Sequence, residues 1–278
     1  MNSIIFPRTI VGGLSLSRMI IGTNNVMGGS HRTFARDTHI NGIFKDNANA
    51  VADLIEAYLE YDVNTIIGCL SKSKFAIDGI KLAQDRTGKR VHYIELAVFD
   101  MSDTKEGRQD ALDFIKCSKA AGADICLPLH VCVEELINKH TRKIDRIDDY
   151  MYMIREQDMI PGLSAHMPEV IEFTDENGYD VETYIQIYNA AGFLMQVEVE
   201  HINKVIWNAK KPVITIKPLA AGHLNPFVGL NFVWNTIRPQ DMVAIGCMTP
   251  DEAYESIEYS LAAIEHRQPD VRGRSHQY

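Results

Sequence analysis

The feature that most constrains this chain is the regular alternation of short apolar runs with longer amphipathic ones. Eight runs rich in apolar and β-branched residues begin at Ile20, Val63, His92, Ala123, Met159, Tyr184, Pro212 and Asp241. Their starts lie 25 to 43 residues apart, and each gap contains a helix-like stretch such as 51–59 or 111–120. Apolar strands separated by helices favour a parallel sheet that is buried on both faces.

Eight such units in 278 residues predict an α/β fold, a closed (β/α)8 or TIM barrel. A doubly wound open sheet is the alternative. An N-terminal β-hairpin turning at Gly12–Gly13 is predicted before the first run, where it could close the bottom of the barrel. We expect one domain over residues 1–278.

The end of the chain carries a helix signal followed by a polar tail. A capping box with proline at the first helical position, 249–252, predicts a last helix from Pro250 to about His266. The stretch 222–239, which carries Phe227, Phe232 and Trp234, is predicted as a long loop. Its aromatic side chains could cover a ligand, cap the barrel or contact another subunit. The tail 268–278 is expected to be frayed.

Composition narrows the classes of partner. The net charge of −9 argues against nucleic acid and anionic membranes, because both need a basic face. No apolar run approaches the roughly 20 residues of a spanning helix, and the start lacks a signal-peptide pattern. The five cysteines are scattered without a CxxC pair, which favours a reduced, cytoplasmic setting. A small-molecule substrate is expected, and a homo-oligomer is compatible with the sequence.

Two neighbouring predicted strands each end in a histidine. One run, 123–130, ends at His130, and the next, 159–166, ends at His166. Since adjacent strands lie roughly 5 Å apart, two imidazoles at the carboxyl ends of these strands could reach one substrate atom or one metal ion.

Several motifs occur in an order that resembles the aldo-keto reductase superfamily, over residues 6 to 266. They are the hairpin, a Ser-x-His-x-Pro-Glu segment within 163–170, Tyr188–Asn189, a Lys-Pro-Leu-x-x-Gly segment at 217–222, and the segment 246–252. The resemblance implies hydride transfer assisted by an Asp, a Tyr, a Lys and a His at the ends of strands 2, 3 and 4. His130 falls at the position of the histidine.

The other members of that tetrad do not match. The segment 63–76 contains neither Asp nor Tyr, and the segment 91–100 contains no Lys. The family usually places Arg or Lys after strand 8 to hold the cofactor phosphate, whereas 246–265 contains only acids as charged residues. We therefore expect that reduction with NADPH is lost, and NAD(P)H is the less favoured cofactor; NADH is excluded less firmly.

The predicted working face still carries many polar side chains. The candidates for binding substrate are Asn24, Asn25, His31, Cys69, Tyr188, Asn189 and Cys247, and the candidates for catalysis are Glu95, His130, His166 and Lys217. Polar groups at such depth must be paired or functional.

Three hypotheses for these residues remain open. In the first, His130, His166 and Glu95 bind a divalent metal, Zn, Mn or Fe, with or without His31 as a further ligand. In the second, the same residues perform metal-free acid–base chemistry, with Lys217 as an electrostatic anchor. In the third, the histidines only pack in the core or at its rim. For Lys217, the separate alternatives are a structural ion pair with Glu95 across the barrel and a Schiff-base role.

The function predicted from the sequence is an enzyme acting on a small polar carbonyl compound or a sugar-like substrate. It would work as a lyase or isomerase does, by acid–base or metal-assisted chemistry, and not by hydride transfer from NADPH. The alternatives are a nicotinamide-dependent oxidoreductase with a rearranged site and an inactive barrel that only binds a ligand.

Overall fold

A computed structural model of the chain describes residues 5–271 and shows a ring of parallel strands surrounded by helices. The strands are β1 (Arg8–Val11), β2 (Leu14–Ser17), β3 (Met19–Gly22), β4 (Thr65–Gly68), β5 (His92–Ala97), β6 (Ile125–Pro128), β7 (Ile137–Asn138), β8 (Lys143–Ile144), β9 (Ile160–Pro161), β10 (Leu163–Ser164), β11 (Tyr184–Ile187), β12 (Val213–Ile216) and β13 (Met242–Ile245). The helices are α1 (Phe34–Phe44), α2 (Ala48–Leu59), α3 (Lys74–Thr87), α4 (Lys105–Ala120), α5 (His130–Glu134), α6 (Ile147–Arg155), α7 (Glu169–Asn177), α8 (Val199–Asn208), α9 (Pro226–Thr236) and α10 (Pro250–Ile264).

The ring closes through one strand that is divided in two. Strand β9 pairs with β6 on one side, and β10 pairs with β11 on the other, with only Gly162 between β9 and β10. A Cβ atom at Gly162 would lie 2.7 Å from the carbonyl oxygen of Thr183 and 3.0 Å from the side chain of Leu127. The chain can therefore pass from one partner strand to the other only where a residue lacks a side chain.

The N-terminal hairpin fills one end of the ring. Strands β1 and β2 pair antiparallel, and both turn residues, Gly12 and Gly13, have positive φ angles. Val11 and Leu16 from the hairpin belong to the same buried cluster as Ile20, Ile94 and other inward-facing residues of the ring. A second, larger core lies between the strands and the helices.

The structure confirms the barrel and the hairpin, and the open sheet is wrong. Each of the eight predicted runs contains a strand of the ring. The last helix begins at Pro250, where the hydroxyl of Thr249 accepts a hydrogen bond from the backbone N–H of Glu252. Within residues 5–271, no helix is long and apolar enough to cross a membrane. Most of the tail predicted to fray lies outside the described residues.

The prediction of a long loop over 222–239 is wrong, because most of it forms α9. Asn225 caps this helix by accepting a hydrogen bond from the N–H of Phe227, and Pro226 occupies the first helical turn. Trp234 is buried against Phe6, with ring centroids 5.7 Å apart, and therefore packs near the start of the hairpin and not over the working face.

Replacing Gly162 with alanine tests the closure. We expect Gly162→Ala to lower the free energy of unfolding by about 1–3 kcal/mol, since the added methyl group must push backbone and side-chain atoms apart. Gly42→Ala is the matched control, because a Cβ there meets no atom within 4 Å and the residue lies in α1. Urea unfolding followed by circular dichroism gives both values, and equal stability of the two variants would contradict this account of the seam.

Candidate active site

A large cavity opens at the carboxyl ends of the barrel strands. Its volume is about 1060 Å³, and it extends from the barrel axis toward the start of α10. Its polar lining residues include Asn24, Asn25, His31, Arg32, Arg36, Cys69, His130, Ser164, His166, Gln196, Lys217, Cys247, Glu252, Glu255 and Ser256. Among the residues expected at this face, the cavity is not lined by Glu95, Tyr188 or Asn189.

His130 and His166 lie face to face in this cavity. Their ring centroids are 3.7 Å apart, and the ring planes are inclined by 22°. His130 begins the short helix α5, and His166 follows β10 by two residues. Glu134 on α5 holds the second histidine in place, because its Oε1 accepts hydrogen bonds from the backbone N–H groups of His166 (2.6 Å) and Met167 (2.9 Å).

A third imidazole and an ammonium group complete the cluster. Lys217 Nζ lies 3.0 Å from His31 Nε2, and the side-chain amide of Asn24 lies 2.5 Å from the same nitrogen. Both His31 and Lys217 have positive φ angles, 56° and 59°. Non-glycine residues in this region are strained, and such strain is concentrated at functional sites.

The cluster keeps its imidazoles neutral. Burial, and after it the charges on His130, Lys217 and His31, lowers the pKa of His166 to about 3. Burial is also the main cause that lowers the pKa values of His130 and His31, and Lys217 lowers both further. Because the ordinary histidine pKa is about 6.5, all three rings are proton acceptors at neutral pH.

Two groups of exposed charged side chains, one basic and one acidic, line the cavity. Arg32 and Arg36 flank Thr33, which caps α1, and the guanidinium of Arg32 donates a hydrogen bond to the carbonyl oxygen of Ala221 across the entrance. Glu252 and Glu255, in the first turns of α10, also line the cavity. Arg36 was not among the residues predicted from the sequence, although it lies only three residues after the cap residue Thr33.

Glu95 lies outside the cavity, which corrects the prediction that it works with the histidines. Its neighbours Ile94 and Leu96 face the inside of the barrel, so its own side chain points toward the helices. The carboxylate accepts hydrogen bonds from the backbone N–H groups of Leu70 (3.3 Å) and Ser71 (3.1 Å) and from the hydroxyl of Ser71 (3.1 Å). It therefore holds the loop after β4, and no ion pair with Lys217 forms.

The geometry does not fit the predicted metal site. Within the described part of the chain, no group of three or more His, Cys, Asp or Glu side chains is placed to hold a metal ion. The lone pairs of imidazole nitrogens lie in the ring planes, so two stacked rings cannot both direct them at an ion between them. With Glu95 on the other face of the sheet, the proposed set of His130, His166 and Glu95 does not converge.

Tyr188 and Asn189 have local structural contacts. The hydroxyl of Tyr188 is hydrogen-bonded to Thr236 and Asn203 in the helix layer. The side chain of Asn189 accepts hydrogen bonds from the N–H groups of Ala191 and Phe193, and it donates one to the carbonyl oxygen of Phe193. These contacts close the turn after β11 and leave neither polar group facing the cavity.

The two cysteines in the cavity are thiols. Burial, followed by the charge of Glu95, raises the pKa of Cys69 to about 12. Burial raises the pKa of Cys247 to about 11, and Tyr58 and Ser256 lie within hydrogen-bonding distance of its sulfur. Because the nucleophilic form of cysteine is the thiolate, neither residue is activated for attack.

Solved structures with a similar fold are aldo-keto reductases and a glycerol dehydrogenase. The chain is 14% identical to a protein from Pseudomonas aeruginosa assigned as an aldo-keto reductase, over 95% of this chain and 99% of that one, with a TM-score of 0.65. It is 13% identical to a glycerol dehydrogenase from Gluconobacter oxydans, over 98% and 99% of the two chains, with a TM-score of 0.60.

A third similar structure, an aldo-keto reductase from Klebsiella pneumoniae in complex with NADP and acetate, is 12% identical over 97% and 99% of the two chains, with a TM-score of 0.60. No sequence model of a protein family matches the chain, and no curated protein matches it. The resemblance seen in the sequence is confirmed at the level of the fold, which is that of the aldo-keto reductases.

The pH dependence of stability tests the assignment of Glu95. Burial is the main cause that raises the pKa of Glu95, to about 7 from an ordinary 4.5. The folded protein therefore binds this proton more tightly than the unfolded chain does, and the stability it contributes below about pH 4.5 is lost as the pH rises through about 7.

We expect Glu95→Gln to match the wild type near pH 5 and to exceed its free energy of unfolding by about 1–3 kcal/mol at pH 8, because the amide is never charged. The exposed Glu156→Gln is the control and should follow the wild type at both pH values. Urea titrations measure the difference, and a Glu95→Gln variant with the same slope against pH as the wild type would contradict the buried, titrating carboxyl.

Proposed function

We propose that the protein is an enzyme that transfers protons on a small carbonyl compound bearing an anionic group, as an isomerase or lyase does. The observation that carries this proposal is the grouping of three neutral imidazoles with one ammonium group in a single cavity. Proton acceptors beside a fixed positive charge are what removal of a proton next to a carbonyl group requires.

The roles follow from the positions of the groups. His130 takes the proton from the carbon next to the carbonyl group, since its ring is neutral and lines the cavity. The pKa of about 3 makes His166 a weak base, so its ring acts by stacking on His130. The negative charge that develops on the carbonyl oxygen is stabilised by the ammonium of Lys217. Stacking of the two rings, and the hydrogen bonds of Glu134 to the backbone at 166–167, hold the base in position.

The charges at the entrance support an anionic substrate. Arg32 and Arg36 can bind a carboxylate or a phosphate, for which guanidinium groups provide paired donors. The deeper wall of the cavity is formed mainly by apolar side chains such as Ile67, Leu96 and Ile185. A small keto acid or a phosphorylated keto sugar fits this combination.

A nicotinamide-dependent reduction is the second candidate. It is supported by the shared fold with an enzyme solved with NADP and by the extension of the cavity to α10. Glu252 and Glu255 could accept hydrogen bonds from ribose hydroxyls, although they repel a phosphate on the ribose. Within residues 5–271, however, no tyrosine lines the cavity, so the usual proton donor of such reductases has no counterpart.

Exchange of substrate hydrogen for solvent deuterium tests the proposal without knowledge of the complete reaction. The protein is incubated in D₂O with a panel of 2-keto acids and phosphorylated keto sugars, and loss of the signal from the hydrogen next to the carbonyl group is followed by NMR. We expect faster exchange for at least one compound. His130→Phe, which keeps a stacked ring, should slow it by about 100-fold or more, and His166→Phe, which keeps the stack on His130, should slow it less.

His39→Phe is the matched control, because His39 is exposed on α1 and should leave the exchange rate unchanged. Parallel samples with NADH and NADPH are monitored for oxidation of the cofactor. If NADH or NADPH is oxidised and no sample without cofactor shows deuterium exchange, the proposal is overturned in favour of a reductase. Exchange that is as fast in His130→Phe as in the wild type would overturn the assignment of His130 as the base.

A further inference from the structure

Lys217 is a half-buried lysine in the wall of the cavity. Within residues 5–271, it is the only lysine in the cavity wall, and no carboxylate forms an ion pair with it. Its nearest polar contact is His31 Nε2, at 3.0 Å. A lysine that served only to stabilise the fold would be expected to have a carboxylate partner at this depth.

The backbone holds Lys217 in a strained conformation. Its φ angle is +59°, and Ala220 and Ala221 after it also have positive φ angles, of 48° and 54°. Hydrogen bonds within the turn, such as that from the N–H of Ala220 to the carbonyl oxygen of Lys217 (2.9 Å), fix this shape. Helix α9 packs directly on the turn, because Gly229 has no side chain and a Cβ there would lie 2.7 Å from the carbonyl oxygen of Pro218.

From this placement we propose that Lys217 is a covalent catalyst, which forms an imine with the carbonyl group of the substrate. The inference rests on the proposed function, since it requires a carbonyl compound in the same cavity. It changes the role of the lysine from a charge that stabilises an enolate to an amine that attacks the carbonyl carbon. Protonated imines attract electrons more strongly than carbonyl groups do, so removal of the neighbouring proton becomes easier.

The step balances with the groups that are present. The ammonium of Lys217 first gives a proton to a neutral imidazole, and His31 is within hydrogen-bonding distance to receive it. The amine nitrogen then forms a bond to the carbonyl carbon as the carbon–oxygen double bond becomes single, and one N–H proton moves to the oxygen to give a carbinolamine. The protonated imidazole returns its proton to the hydroxyl group, the carbon–oxygen bond breaks and water leaves, which gives the protonated imine with one hydrogen on nitrogen and a neutral imidazole. Nothing is oxidised or reduced.

The electrostatic setting favours the amine. Burial lowers the pKa of Lys217, which increases the fraction of the nucleophilic, uncharged form. An anchor for an anion would gain nothing from a lowered pKa, because its function depends on keeping the charge.

Trapping by reduction tests this inference. The wild-type protein is incubated with pyruvate and sodium cyanoborohydride, and the modified residue is identified by peptide mass spectrometry. We expect modification concentrated at Lys217, with its loss in Lys217→Met and its retention in Lys81→Met, a variant of an exposed lysine on α3. Dihydroxyacetone phosphate serves as a second probe. Because the adduct is located in the wild-type protein, this result does not depend on whether any variant folds.

The outcomes separate the two proposals. The imine is supported if an adduct forms at Lys217 and its formation is inhibited by the compound that is active in deuterium exchange. Deuterium exchange with no adduct at Lys217 from either probe or from the active compound would overturn the imine and leave the proposed function in place. Absence of both exchange and adduct would overturn both, and labelling spread over the surface lysines without preference for Lys217 would also overturn the imine.

Discussion

Closure of the barrel at Gly162 is the constraint on which the candidate site depends. The divided strand pairs with β6 before this residue and with β11 after it, so the ring has no free edge within the described residues. The same seam brings the segment after β10 next to the segment after β6. His166 and His130, each two residues past the end of its strand, consequently stack on each other. The geometry of the pair is therefore a product of the way in which the barrel closes.

The charges in the cavity show how the site differs from what the fold would suggest. Three imidazoles and Lys217 lie at the barrel axis, two arginines lie at the entrance, and two glutamates lie near α10. Burial makes each of these basic groups easier to deprotonate, and the neighbouring basic groups add to this effect for the three imidazoles. The proposal of an anionic carbonyl substrate rests on this arrangement of charges, and the acids on α10 disfavour a cofactor that carries a phosphate there.

The sequence predicted the barrel well because alternation of apolar strands and amphipathic helices is a property of long segments. It could not place Glu95, since a shift of one residue in a strand moves a side chain from one face of the sheet to the other. The sequence also did not predict the stacking of His130 on His166, because this contact depends on the division of a strand at Gly162. In the sequence, that division is visible only as one glycine in an apolar run. For 222–239, the Asn225–Pro226 cap signal was present, but the aromatic residues were interpreted as part of a loop.

The most direct measurement of the central claim is the titration of the histidines by NMR, with each imidazole assigned from the spectra of single variants. The account predicts that His166 remains neutral down to at least about pH 5, in keeping with a pKa lowered to about 3, and that His31 and His130 are neutral at pH 7. A His166 that takes up its proton near the ordinary histidine pKa of about 6.5 would contradict the account, because burial and the neighbouring basic groups would then not be acting on this ring.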